Sequence, residues 1–220
     1  MLIAGIDEAG RGPCVGPMVM AVAVIEKERE SLLSEIGVAD SKLLSPAERE
    51  SQFPKIKKSL SEFATVHILP EEIDSLRDHK SLNEIEAMRA AELLNCLKNK
   101  PQLVYVDSPD VLQENFGLRI KKYLSFDVAI KSEHKADVNY PIVSAASILA
   151  KVERDAAIKV LEKTFGKIGS GYPHDPDTIA FIEKYLLEHN KLPSIARKSW
   201  DTSQRMLNAR FQTKLFNGEN

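Results

Sequence analysis

The sequence predicts an α/β fold: a five-stranded mixed sheet flanked by helices, with a C-terminal helical extension. Five short β-rich apolar runs carry the prediction, together with helix-start signals between the later runs. The order of elements adds to it, because three strands come first and the last two are separated by helical segments.

The runs are residues 2–7, 15–25, 63–69 (FATVHIL), 103–107 (LVYVD) and 126–131 (FDVAIK). The first three read as an antiparallel meander, and strands split by helices read as parallel additions. Ser45-Pro46-Ala47-Glu48 is a capping box with proline at the first helical position. Ser81-Leu82-Asn83-Glu84 opens a second helix, running to about Leu97, with Leu82, Ile85, Met88 and Ala91 on one stripe. Residues 144–165 predict a long helix with Ala145, Leu149, Val152, Ala156 and Val160 on its apolar face, and Gly166 fits its C-terminal cap. Asp175-Pro176 opens a further helix with Ile179, Ile182 and Leu186 facing inward. The Gly169-Ser170-Gly171-Tyr172-Pro173 loop is the natural joint, which predicts a catalytic domain over 1–170 and a helical extension over 171–220.

Composition excludes several classes. A chain that is 43% hydrophobic is no disordered segment. Its longest nearly uncharged apolar run, 13–25, falls short of the ~18 residues a membrane helix needs. Asp7 and Glu8 in the opening segment read against a secretory signal. The two cysteines, Cys14 and Cys96, form no CxxC and pair with no histidine motif, which points to a reducing cytoplasm rather than a disulfide or zinc scaffold. With 30 basic against 32 acidic residues the net charge is −2, so any nucleic-acid binding must come from a local patch. The tail is locally basic: Arg197, Lys198, Arg205, Arg210 and Lys214 stand against only Asp201 and Glu219.

The chemistry lies in acids placed where apolar runs leave the sheet. The first run ends in Asp7-Glu8, the fourth in Asp107, and Asp137 follows the fifth. If the first and fourth strands are neighbours, Asp7 and Asp107 face one another. Like charges about 4 Å apart repel by ~4 kcal/mol at an effective dielectric near 20. Hard divalent cations, Mg²⁺ or Mn²⁺, are the fitting counter-charge for clustered carboxylates. Neighbouring strand residues point to opposite faces, so Asp7 and Glu8 share a site only if the strand ends or curls there. Asp110 and Glu114 read as solvated surface carboxylates, and His134 as polar surface.

Gly10-Arg11-Gly12 follows at once. Its glycines allow close backbone approach and its arginine offers a fork for phosphate. Such a backbone can read a ribose 2′-hydroxyl, the group that separates RNA from DNA. Lys42, in the polar turn Asp40-Ser41-Lys42, is a candidate phosphate contact. Ser147, Lys151 and Arg154 share one face of the long helix and read as a phosphate-binding strip, set against an ordinary solvated face. Tyr172 is a loop aromatic suited to stacking on a sugar or base.

The strings GIDEAGRGPCVGPMV, DSKLL, VYVDSPDV, HKADVNYPIVSAASILAKVERD and GSGYPHDP, in this order, resemble the motifs of type 2 ribonuclease H, and specifically its archaeal ribonuclease HII branch. The resemblance extends from Met1 to about Lys198. It implies a ribonuclease H-like fold and metal-dependent cleavage of the RNA strand of RNA–DNA hybrids and of ribonucleotides embedded in duplex DNA, leaving 3′-hydroxyl and 5′-phosphate ends. It implies that Asp7, Glu8, Asp107 and Asp137 hold the metal and are catalytic. It further implies that Gly10, Arg11, Gly12 and Tyr172 sense the substrate, with Lys42, Ser147 and Lys151 as further substrate contacts. The competing readings are a nuclease of the same fold acting on damaged or branched DNA, and a non-catalytic nucleic-acid-binding module. The expected protein is a cytoplasmic monomer without membrane association, serving DNA replication and repair. Gln212-Thr213-Lys214-Leu215-Phe216 hints at a sliding-clamp-binding peptide, without the paired terminal aromatics.

Overall fold

In this computed structural model, residues 1–38 and 44–217 are described, and of 213–217 the backbone alone. Among the described residues five strands, β1 (Leu2–Ala9), β2 (Met18–Glu26), β3 (Glu62–Ile68), β4 (Leu103–Asp107) and β5 (Ala129–Glu133), form one sheet in the order β3-β2-β1-β4-β5. β1 pairs antiparallel with β2, from Leu2↔Glu26 to Ala9↔Val19, and parallel with β4, which pairs parallel with β5. The expected mixed sheet is therefore present.

The helices are α1 (Ser31–Ile36), α2 (Pro46–Ser59), α3 (Pro70–Arg77), α4 (Leu82–Cys96), α5 (Gln113–Lys121), α6 (Ala136–Asn139), α7 (Pro141–Phe165), α8 (Pro176–His189) and α9 (Asp201–Asn217). The capping signals place α2 and α4 where expected. The Ser45 hydroxyl accepts the Glu48 amide while the Glu48 carboxylate accepts the Ser45 amide, and Ser81 accepts the Glu84 amide. Gly166 ends α7 at a φ of 77°.

Several expectations need correction. β2 and β3 are joined through α1 and α2, not by a plain meander turn. β1 does not end at Asp7; it stays paired through Ala9. β5 starts at Ala129 rather than Phe126, because the five residues of β4 fix its register, and the Phe126 ring lies 5.1 Å from the Lys100 ammonium instead. On α7, Ala145 and Leu149 are buried and Val152 is half-buried, but Ala156 and Val160 face solvent.

The chain divides into two compact units. The first comprises Met1–Ala9, Val19–His67 and Lys80–Arg154; the second comprises Gly10–Met18, Ile68–His79 and Asp155–Asn220. The expected boundary at 170/171 thus falls inside the second unit. The first unit's core sets Val19, Ala21, Ala23 and Ile25 of β2 with Ile142, Ala145, Ala146 and Leu149 of α7. Gly5 of β1 is what lets α7 in: a Cβ there would stand 2.4 Å from the Ile142 carbonyl. The second unit has its own core of Cys14, Val15, Ile168, Phe181, Ile182, Leu186, Leu192 and Ile195. Each such aliphatic side chain contributes about 1.5–3 kcal/mol when fully buried.

Candidate active site

In the first unit, every β1–β4 pair joins residues 100 apart in number, from Ile3↔Leu103 to Ile6↔Val106. Asp7 and Asp107 therefore hold the same rank, one step past the last paired row. Parallel strands have brought the two acids abreast, as the sequence predicts for neighbouring strands. Asp7 is 6% exposed, whereas Glu8 and Asp107 are half-buried.

Burial pushes the Asp7 carboxyl well above the usual carboxylate range, and the charges of Glu8 and Asp107 push it further. Hydrogen bonds from Ser147 and from the Glu8 amide, at 2.8 Å, work against that shift. Ser147 is fully buried, and its hydroxyl accepts from the Lys151 ammonium at 2.8 Å. Arg154, one turn on, is also buried. The face carrying Ser147, Lys151 and Arg154 is thus no solvated surface strip. It runs inward from Lys151 through Ser147 to Asp7, and links a cation to the most strained carboxylate.

Asp107 accepts the Ala136 amide at 2.8 Å, at the first residue of α6. The chain enters α6 through Lys135, held at a φ of 58°. Asp137 is the next residue along and is 2% exposed. Asp110 departs from its reading as a surface acid. It is buried, pairs with Arg119 at 2.9 Å, and accepts from Asn83. His134 is exposed, and its ring contacts the Asp110 carbonyl at 2.7 Å.

Among the described residues, no three or more His, Cys, Asp or Glu side chains are gathered into a group able to hold a metal ion. Asp7 and Asp107 also accept from protein donors, the amides of Glu8 and Ala136. The donor set nonetheless fits a hard dication. It is all oxygen, it sets two carboxylates abreast, and burial and two neighbouring acids hold the Asp7 carboxyl above its ordinary pKa. Mg²⁺ in particular takes one or two carboxylates with waters and phosphate rather than an all-protein cage.

The second unit holds Gly10–Gly12 and Tyr172. Gly10 has a φ of 82°, a conformation that favours glycine. A Cβ built on Gly12 would stand 3.5 Å from the Tyr172 ring, so the exposed Gly12 backbone and the half-buried tyrosine are neighbours. Tyr172 is carried by Gly171, whose carbonyl accepts the amides of Cys14 and Val15 at 2.9 and 3.2 Å. Asp175 caps α8 and accepts both the amide and the hydroxyl of Ser170 at 2.6 Å. Those bonds hold its carboxyl down to about 2.

Sequence reasoning missed Arg197, Trp200 and Asp74. Arg197, read as part of a basic tail, is fully buried and donates to the carbonyls of Gly10, Arg11 and Gly16. Its signal was an arginine closing the mostly apolar stretch 192–196, next to Lys198. Lys42 and its DSK turn lie outside the described residues, as do the side chains of Lys214, Leu215 and Phe216.

A mixed α/β sheet with carboxylates abreast at the ends of parallel strands defines a ribonuclease H-like nuclease. Residues 4–203 match the family model of ribonuclease HII. The ribonuclease HII of Pyrococcus abyssi is 45% identical over 94% of this chain and 91% of its own length. The crystal structure of ribonuclease H2 from Pyrococcus horikoshii OT3 superposes with a TM-score of 0.91 at 44% identity, covering 96% of this chain and all of that one. RNase HII from Archaeoglobus fulgidus, solved as a PCNA:RNase HII complex, gives a TM-score of 0.83 at 39% identity over 91% of this chain and 96% of that one. This chain belongs to the ribonuclease HII family, and is a ribonuclease H endonuclease acting on RNA–DNA hybrids. No helix among the described residues is long and apolar enough to cross a membrane.

Proposed function

We propose that this endonuclease works with Mg²⁺ or Mn²⁺, and that besides the RNA strand of hybrids it cuts at single ribonucleotides embedded in duplex DNA, leaving 3′-hydroxyl and 5′-phosphate ends. The observation that carries this reading is the buried Asp7, abreast of Asp107 and next to Glu8, with its pKa driven up by burial and by both neighbours. Asp7 and Asp107 would hold the cation, with Glu8 and Asp137 as the further acids. Bound there, a divalent cation supplies charge neutralisation and water activation for phosphodiester hydrolysis.

The chain's own groups do the rest. Ser147, backed by Lys151, donates to Asp7, orients its carboxylate and favours the ionised form. Arg11, with Lys42, binds backbone phosphate. The Gly10–Gly12 backbone and the Tyr172 ring, which share one place in the second unit, read the 2′-hydroxyl at the cut. We place residues 1–170 as the catalytic domain in this role, followed by the extension. With both cysteines free, the fold needs no oxidising compartment, in keeping with a cytoplasmic, single-chain enzyme of DNA replication and repair. By analogy with the PCNA-bound relative, the tail around Gln212–Phe216 is proposed to dock on a sliding clamp.

The deciding experiment digests one DNA duplex carrying one ribonucleotide, mapped to the nucleotide, in Mg²⁺ and in Mn²⁺, beside the same duplex without it. Cutting at the ribonucleotide alone is expected. Cutting of the all-DNA duplex, or turnover in chelator, would overturn the reading.

A further inference from the structure

The loop at Gly10–Gly12 is held from behind by residues close to 200. Arg197 is fully buried, and its guanidinium donates through Nη2 to the Gly10 carbonyl at 2.6 Å, through Nη1 to the Arg11 carbonyl at 3.0 Å, and through Nε to the Gly16 carbonyl at 3.1 Å. The next carbonyl, that of Gly12, accepts from the Trp200 indole at 3.2 Å. The Trp200 ring lies under the Arg197 guanidinium at 4.8 Å and beside that of Arg77, from α3, at 5.5 Å. Asp74, also on α3, ties down the turn between them by accepting the amides of Lys198 and Ser199 and the Ser199 hydroxyl. Three successive carbonyls, those of residues 10, 11 and 12, are thus all claimed by one arginine–tryptophan pair.

Peptide planarity gives this a direction. In a trans peptide the C=O and the following N–H point opposite ways, and no cis bond occurs among the described residues. Fixing the Gly10 and Arg11 carbonyls on Arg197 therefore aims the Arg11 and Gly12 amides away from it. Both amides become oriented donors, suited to a hydroxyl or phosphate oxygen. A buried guanidinium with a rigid planar fork can fix several acceptors at once, which a lysine cannot do in that geometry.

We infer that Arg197 is a positioning residue of the enzyme: it sets the Gly10–Gly12 backbone, with Trp200 as its partner, so that the Arg11 and Gly12 amides meet the ribonucleotide at the cut. The inference rests on the proposed reading of that loop as the 2′-hydroxyl sensor.

The test compares Arg197→Lys and Trp200→Phe with the wild type, by amide hydrogen exchange and by steady-state cutting of the single-ribonucleotide duplex in Mg²⁺. In Arg197→Lys the hydrogen-bonded amides that close the loop, those of Cys14, Val15 and Gly16, should exchange at least about tenfold faster, while those of α8 stay unchanged, since local opening is separable from global unfolding. Turnover should fall on the order of 10²-fold with KM moved less than about threefold, as expected when positioned groups are displaced. Trp200→Phe keeps the ring and loses one donor, so it should move both readouts the same way by less. If loop and α8 exchange speed up together, or loop exchange is unchanged, Arg197 is merely structural and the inference fails. If the loop loosens but turnover holds, the specificity role fails. Gly12→Ala separates the two ideas. Its methyl meets the Tyr172 ring at ordinary contact distance, 3.5 Å. If it cuts ribonucleotide duplexes like the wild type, the loop reading itself is overturned. If it is impaired while both other variants behave normally, only the Arg197 inference falls. Should Arg197→Lys not fold, Trp200→Phe decides by the same two readouts.

Discussion

Asp7 concentrates the electrostatic tension of the first unit. Its folded pKa lies above the ordinary 3.8, so between those two values the native state binds a proton that the unfolded chain has released. Stability without metal must therefore fall as pH rises from near 4 through the folded pKa. Asp7→Asn removes that dependence. In chelator, the variant's thermal midpoint should stay flat over the range where the wild type's declines, and added Mg²⁺ should stabilise the wild type but not the variant. The same substitution should cost several orders of magnitude in turnover with the fold kept, as circular dichroism and a cleavage assay would report; near wild-type turnover in Mg²⁺ would remove Asp7 from the chemistry. Tyr172→Ala should lose preference for the DNA–RNA junction, read as the ratio of cutting at a single ribonucleotide to cutting within a hybrid. Asp7 and Asp107 were legible because each ends an apolar run. The inward turn of Ser147 and Lys151 was not, since helical spacing gives a shared face but not which way it looks. Arg197 was hidden because burial of a cation depends on carbonyls 187 residues away.

Among the elements, β1 and α7 depend on one missing side chain. Gly5→Ala would force a Cβ to within 2.4 Å of the Ile142 backbone, so either helix or strand must shift. Overpacking of this kind costs typically ~1–3 kcal/mol. Urea unfolding should show at least that loss, and a variant as stable as the wild type would contradict the contact. The loop before α8 makes a pH prediction of opposite sign. Asp175 is held down to about 2 by the Ser170 hydroxyl and amide, so its contribution is present above its ordinary 3.8 and is lost as pH falls toward about 2. Asp175→Asn should flatten the acid limb of the stability profile; an unchanged limb would assign it elsewhere. Helices announced by a side-chain cap, α2, α4 and α8, were readable in advance. α5 was not, because Leu112 caps it without a side-chain hydrogen bond, and α3 was masked by the apolar run leading into Pro70.

For the molecule as a whole, the five-stranded mixed sheet and the family were open to a reader of the sequence, whereas the gathering of residues 10–18 and 68–79 into the second unit was not. A linear cut at a glycine-rich loop is the simplest guess, yet the second unit recruits residues 10–18 and 68–79 from far upstream. Contacts between distant segments leave no local mark in composition. Removing the residues after Arg210 should abolish capture on an immobilised sliding clamp while hybrid cutting is unchanged; retained capture would move the docking site off the tail. The partition also sets an order of events during synthesis. Residues 10–18 leave the ribosome well before Ile195 and Arg197, which receive their hydrogen bonds or supply them. Until residue 197 is made, the nascent chain must therefore carry its Gly10–Gly12 loop without the guanidinium that fixes it, and a ribosome stalled before codon 197 would hold a polypeptide with all five described strands but without that anchor.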